Sequence, residues 1–282
     1  MSEIDARAAR RRFDRAAAGY ARAARLEAEV GTRMLERLDY VRLDPARILD
    51  AGSGPSPQAA WLGRRYPRAR LVALDFSLPM LERARSARGW LARLRGNGPL
   101  AACAALERLP FAPGTFGLAW SNMALHWAAD ADAALAELQR VLEVGGLLMF
   151  STVGPDTLKE LRAAAGEARV HRFADMHDVG DALVAAGFST PVMDREMITL
   201  TYPADGGVLA DLRASGQTLA RGDRARGLAG RRLRAALARA GASASIEVVY
   251  GHAWKGEPRR AADGRAIVRF ARGTVPGAAK LC

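Results

Sequence analysis

The stretch Ile48-Leu49-Asp50-Ala51-Gly52-Ser53-Gly54 decides the reading of this chain. An apolar run leads into an acid and a glycine turn, and a helical pattern follows over 57–66. Glycines at a strand-to-helix turn let a ligand approach the backbone closely. Arg70-Leu71-Val72-Ala73-Leu74-Asp75 then reads as a second strand closed by an acid. That acid lies about twenty residues beyond the turn, where a carboxylate can accept both hydroxyls of a ribose. A dinucleotide site requires G-x-G-x-x-G, but Pro57 stands at the sixth position. The missing glycine removes the close helix–strand packing around a pyrophosphate, so a nucleoside without phosphates fits better.

Working outward, strands are read at 100–104, 116–121, 147–152, 192–202 and 245–254. Helical patterns cover 5–40, 131–141, 175–186, 207–221 and 228–240. Another helix opens at Ser77-Leu78-Pro79, with Ser77 as its N-cap and Pro79 in its first turn. Strands alternating with helices predict an α/β fold with a largely parallel sheet.

The chain has 282 residues, half of them apolar, enough for a substantial core and incompatible with a disordered chain. No apolar run approaches the roughly 18 residues of a membrane span. Two cysteines, Cys103 and Cys282, cannot form a disulfide framework, so a cytoplasmic location is expected. The Arg-rich start has the composition of a mitochondrial presequence, but Glu3, Asp5 and Asp14 interrupt it, so it reads as a mature helix. The net charge is +12, and all but three of the 42 basic residues are arginine. With abundant alanine, this suggests a coding bias before it suggests nucleic acid. The distribution says more. Residues 1–45 carry +2, residues 46–206 are neutral, and residues 207–282 carry +10. A localised excess of this kind suits an acidic macromolecular partner.

The turn and the acid together resemble the first motif of class I S-adenosylmethionine (SAM) methyltransferases. The resemblance implies a Rossmann-like, mostly parallel seven-stranded sheet whose last strand is antiparallel. It also implies SAM as cofactor. Asp50, Ala51, Gly52, Ser53 and Gly54 would meet its methionine part, Asp75 its ribose, and Phe76 and Met80 its adenine. Ala104-Ala105-Leu106-Glu107-Arg108-Leu109-Pro110-Phe111 resembles the family's third motif, which puts Ala105 and Leu106 at the adenine. Ala105 replaces the usual aspartate there. Losing that hydrogen bond predicts weaker cofactor binding, by about 1–3 kcal/mol.

Phe13-Asp14-Arg15-Ala16-Ala17-Ala18-Gly19-Tyr20 and Trp120-Ser121-Asn122 carry a closer resemblance, together with Phe173 and Tyr250. They are similar to the malonyl-acyl-carrier-protein O-methyltransferases of biotin synthesis. The implied layout is an N-terminal helical lid at 1–45 and a cofactor-binding core at 46–206. A helical cap with the final strand follows at 207–272, then a tail at 273–282. Tyr20 becomes a lid residue, although plain helix packing explains it equally. Ser121 and Asn122 belong beside the cofactor, with Asn122 at the reacting methyl. Arg213 would grip the acceptor's carboxylate. The expected partner is an acidic carrier protein bearing malonyl, docked on the basic last quarter of a monomer. Few stacking aromatics accompany that charge (Tyr250, Trp254 and Phe270), which argues against nucleic acid.

A second resemblance competes. Gly154 to Arg162 and Val249-Tyr250 with Trp254-Lys255 are similar to respiratory complex I assembly factors with the same cofactor fold, read as arginine hydroxylases. His126 is a possible base, but a histidine beside Trp127 more often serves structure. His171, His177 and Asp175 have the residue types of an iron site without a helix-face spacing.

Overall fold

The computed structural model describes residues 4–86, 98–203, 207–223 and 242–257. Seven strands form one sheet: β1 Arg47–Ala51, β2 Arg70–Asp75, β3 Leu100–Cys103, β4 Phe116–Ser121, β5 Leu142–Val153, β6 Phe188–Thr201 and β7 Ser243–Lys255. Their order is β3-β2-β1-β4-β5-β7-β6. Six strands share a direction, and β7 runs antiparallel between β5 and β6. The expected sheet is therefore the observed one.

Helices pack on both faces: α1 Ala6–Ala16, α2 Tyr20–Ala23, α3 Arg25–Leu38, α4 Ala59–Arg65, α5 Leu78–Ser86, α6 Ala131–Val141, α7 Lys159–Ala165, α8 Met176–Ala185 and α9 Gly207–Ala214. Side chains alternate across a strand, so each central strand feeds two cores. Leu49, Ala119 and Leu148 face α6 and α8, where Leu135, Leu138 and Leu183 meet them. Ile48, Leu118 and Leu147 face Val30, Met34 and Leu38 of α3. Buried on both faces, β1 and β4 read as near-continuous apolar runs, as central parallel strands do.

The structure differs from the sequence reading in local ways. The pattern over 5–40 is three helices, because the chain turns at Gly19 and leaves helical geometry at Ala24. β5 and β6 begin earlier than read, at Leu142 and Phe188. The helix read at 207–221 ends at Ala214, where the Ser215 hydroxyl bonds the Asp211 carbonyl and Gly216 takes a φ of 77°. Ser77 does not cap its helix with its side chain; its hydroxyl donates to Asp14 Oδ1 at 2.7 Å. The pattern at 228–240 lies outside the described residues. So do twelve of the fifteen basic side chains of 207–282. Among the described residues no helix is long and apolar enough to cross a membrane.

The chain reverses its strand order between β1 and β4, so the loops after these strands part in opposite directions. Open α/β sheets place ligands in the crevice at that point, outside the carboxyl ends. The fold thus sets Gly52, Asp75 and Asn122 around one opening. Leu49 is fully buried on β1, the strand that leads to Gly52. Leu49→Ala should lower unfolding free energy by about 2–5 kcal/mol in urea titration, with the denaturant slope unchanged.

Candidate active site

Loops after β1, β2, β3 and β4 surround a cavity of about 270 Å³, which Phe13 of α1 and Tyr20 of α2 also wall. Gly52 and Gly54 line its floor with φ values of 75° and 52°. A Cβ on Gly52 would overlap the Ala124 methyl, so only glycine leaves this opening clear.

Asp75 supplies the buried charge. Its Oδ2 accepts the Gly54 N–H at 2.8 Å and its Oδ1 accepts the Ser77 N–H at 2.7 Å. Each oxygen retains a lone pair for another donor. Burial raises its pKa to about 6, although the two N–H groups pull downward. Phe76 and Met80 follow as an apolar wall, with Ala105 and Leu106 across from the β3 side. Phe13 packs edge-on against Phe76 and Trp127, with centroids at 5.6 and 5.1 Å.

Asn122 lines the same cavity and is fixed at both ends of its amide. Its Nδ2 donates to the Glu27 carbonyl at 2.8 Å, and its Oδ1 accepts from Ser151 Oγ at 2.9 Å. Gly31 of α3 carries no side chain where Asn122 and Gln58 pass, which allows this approach. Tyr20 stands opposite, its hydroxyl held protonated by burial and by the nearby Glu27 and Asp75 charges.

Other residues singled out in the sequence lie behind the cavity. Asp50 is buried and accepts the Ser56 hydroxyl at 2.5 Å; burial raises its pKa to about 7. Ala51 packs in the core, and the Ser53 hydroxyl turns to the Gly54 carbonyl. Ser121 is buried behind Asn122, and its hydroxyl has no hydrogen-bond partner. Asp175 caps α8 by accepting the His177 N–H, away from His171. Among the described residues no cluster of three His, Cys, Asp or Glu side chains could hold a metal.

A second cavity of about 330 Å³ takes in Arg213, exposed at its rim, with Arg12 and Arg169. His126, His171 and Phe173 form further walls, and Met123 and Trp127 line both cavities. Met123 holds a φ of 53°, strain that persists because its N–H is bonded to Ser151 Oγ. His126 has a pKa lowered to about 3, by burial first and then by His171, so it is neutral across the physiological range.

Arg7, Arg10 and Glu107 also line the first cavity and were not singled out in the sequence. The signal for the arginines was present: Ala6, Ala9, Arg10 and Phe13 recur at three- and four-residue spacing along one face of α1. Glu107 accepts the Ala129 and Asp130 N–H groups.

The buried Asp50 carboxyl has a pH signature. Its folded pKa, about 7, lies above its unfolded value, so the folded state binds the extra proton between the two. Stability on its account is lost as pH rises from about 4 to about 7. Asp50→Asn should therefore be more stable than the parent at pH 8. The gap should close towards pH 4, as followed by thermal melts across that range.

A methyltransferase-domain family model matches residues 49–150. The YcgJ protein of Bacillus subtilis shares the fold, with a TM-score of 0.59 at 16% identity over 81% of this chain and 98% of that one. The malonyl-[acyl-carrier protein] O-methyltransferase of Gallionella capsiferriformans is 48% identical, covering 94% of this chain and 96% of its own. The Laribacter hongkongensis protein of the same name is 51% identical, covering 92% and 93%. At that identity and coverage, the chain belongs to the malonyl-[acyl-carrier protein] O-methyltransferase family and is a SAM-dependent methyltransferase.

Proposed function

We propose that the chain methylates the free carboxylate of malonyl-acyl-carrier protein, an early step of biotin synthesis. The observation that carries this reading is the pair of cavities. An arginine-lined cavity shares Met123 and Trp127 with the glycine-and-acid cavity, so an acidic acyl group can meet a cofactor across them. The relatives described above carry that activity in their names, which favours it over the assembly-factor reading.

When bound, SAM supplies a methyl group activated by its sulfonium. The first cavity fits such a group. Gly52 and Gly54 leave the backbone open, the spare lone pairs of Asp75 suit two ribose hydroxyls, and Phe76 and Met80 give adenine an apolar wall. Ala105 offers no acceptor at the adenine edge. Glu107 lines this cavity too, with two backbone amides on its Oε1.

A malonyl carboxylate is already ionised at neutral pH and needs no general base. The chain's work is alignment and exclusion of water. Asn122, fixed at both ends of its amide, and Tyr20, held protonated, border the reacting space. Arg213 at the rim of the second cavity, with Arg12 beside it, opposes the acceptor's negative charge. The +10 of residues 207–282 suits docking of an acidic carrier.

Asp75→Ala should weaken SAM binding at least about tenfold by calorimetry, the loss of roughly one charge-assisted hydrogen bond. In the parent protein, affinity should fall as pH drops through about 6, because a protonated Asp75 accepts hydroxyls poorly.

Incubation with labelled SAM should add one methyl to malonyl-carrier protein by mass spectrometry and none to acetyl-carrier protein. Arg213→Gln should raise KM for the malonyl carrier roughly tenfold and leave the SAM Kd unchanged. The same KM should climb steeply with salt. Unmodified malonyl-carrier protein in the presence of intact SAM binding would remove this acceptor.

A further inference from the structure

Few side chains of the first cavity can accept a hydrogen bond from a bound molecule. Arg7 and Arg10 only donate. Asn122 is bonded at both ends of its amide. The Tyr20 ring lies against Gly54, and Asp75 accepts the Gly54 amide, so both stand at the glycine end. Glu107 is placed differently. It comes from the loop after β3, two residues beyond Ala105, and its side chain reaches the segment that enters α6. There Oε1 accepts the Ala129 N–H and, at 3.3 Å, the Asp130 N–H. The carboxylate is thus fixed by one oxygen. Its Oε2 has no partner among the described residues and is not sealed from water. A fixed carboxylate with one empty oxygen, in a cavity wall, is a prepared acceptor.

The order of the strands indicates which ligand atom it meets. β3, β2 and β1 are neighbours, so their loops stand in a row: Gly52 and Gly54 after β1, Asp75 after β2, and Ala105, Leu106 and Glu107 after β3. A nucleoside with its ribose at Asp75 sets its base at the third loop, between Phe76 and Leu106. The amino group of adenine offers N–H donors and needs an acceptor. The methyl of Ala105 supplies none, and the empty oxygen of Glu107 supplies one. A purine with an oxo group in that place would set its lone pairs against those of the carboxylate.

We propose that Glu107 recognises the base of the cofactor, its Oε2 accepting the amino group of adenine in place of the residue that Ala105 replaces. The cofactor's base is then read two positions further along the chain, by a carboxylate whose other oxygen ties the loop after β3 to the start of α6. This rests on the adenine placement proposed above, and the test separates the two.

S-adenosylhomocysteine is compared with S-inosylhomocysteine, which carries an oxo group where the first has its amino group. By calorimetry the parent protein should prefer the adenine ligand by roughly ten- to a hundredfold in Kd. Glu107→Gln keeps an oxygen for the Ala129 and Asp130 amides and turns an NH2 towards the base. It should cut the preference at least about tenfold, because an oxo group now meets a donor. Melting temperature reports the fold of the variant. A crystal structure of the parent with S-adenosylhomocysteine reads the contact directly, with Glu107 Oε2 expected about 3 Å from the amino nitrogen. A preference unchanged in Glu107→Gln, or an amino group bound elsewhere in the first cavity, overturns this proposal alone. A ligand bound outside the first cavity overturns the adenine placement and takes this proposal with it.

Discussion

The Asp75 carboxylate joins three segments that the sequence keeps apart. One oxygen takes the amide of Gly54, after β1, and the other takes the amide of Ser77, after β2. The hydroxyl of the same Ser77 reaches Asp14 of α1. A buried carboxylate is expensive without donors, and here the donors are the backbone of the turns that form the cavity floor. The turns hold the charge and the charge holds the turns. The first cavity keeps its shape through this reciprocal fixing, with burial raising the Asp75 pKa to about 6 as its electrostatic cost.

A second fixed chain sets the partition between the cavities. The Met123 N–H bonds Ser151 Oγ, Ser151 donates to the Asn122 amide, and Asn122 donates to the Glu27 carbonyl of α3. Both ends of the Asn122 amide are bonded, and the Met123 N–H is shared between the Ser151 hydroxyl and carbonyl oxygens, which holds Met123 in its left-handed conformation. Strained residues persist where their surroundings over-determine them, and such places are commonly functional. Met123 lines both cavities at this partition.

The sheet and the glycine-and-acid cavity were legible in the sequence because their signals are local. Gly52, Gly54 and Asp75 are residue types that strand ends need for a stated reason, and they lie within a single βαβ unit. Phe13 and Tyr20 were legible only through resemblance, and the three-way break of 5–40 was not legible at all, since alanine and arginine suit one long helix. The second cavity was hidden for a different reason. Arg12, His126, His171 and Arg213 come from four separate segments, and only the tertiary fold brings them together. His171 was weighed only as a metal ligand. Its place in the wall of that cavity is a property of packing.

The two cavities are not independent. α1 contributes Phe13 to the first and the adjacent Arg12 to the second. Phe13 is held by the edges of Phe76 and Trp127, and Trp127 in turn stands edge-on to His171. Displacing α1 would therefore remove the aromatic wall of one site and a cation of the other in a single movement. The Asp14–Ser77 bond anchors that helix to the loop after β2, next to Asp75. Under the proposed transfer, the geometry that positions one reactant is the geometry that completes the pocket for the other. An in-line transfer between two separately bound molecules requires that coupling, because its rate depends on their mutual alignment.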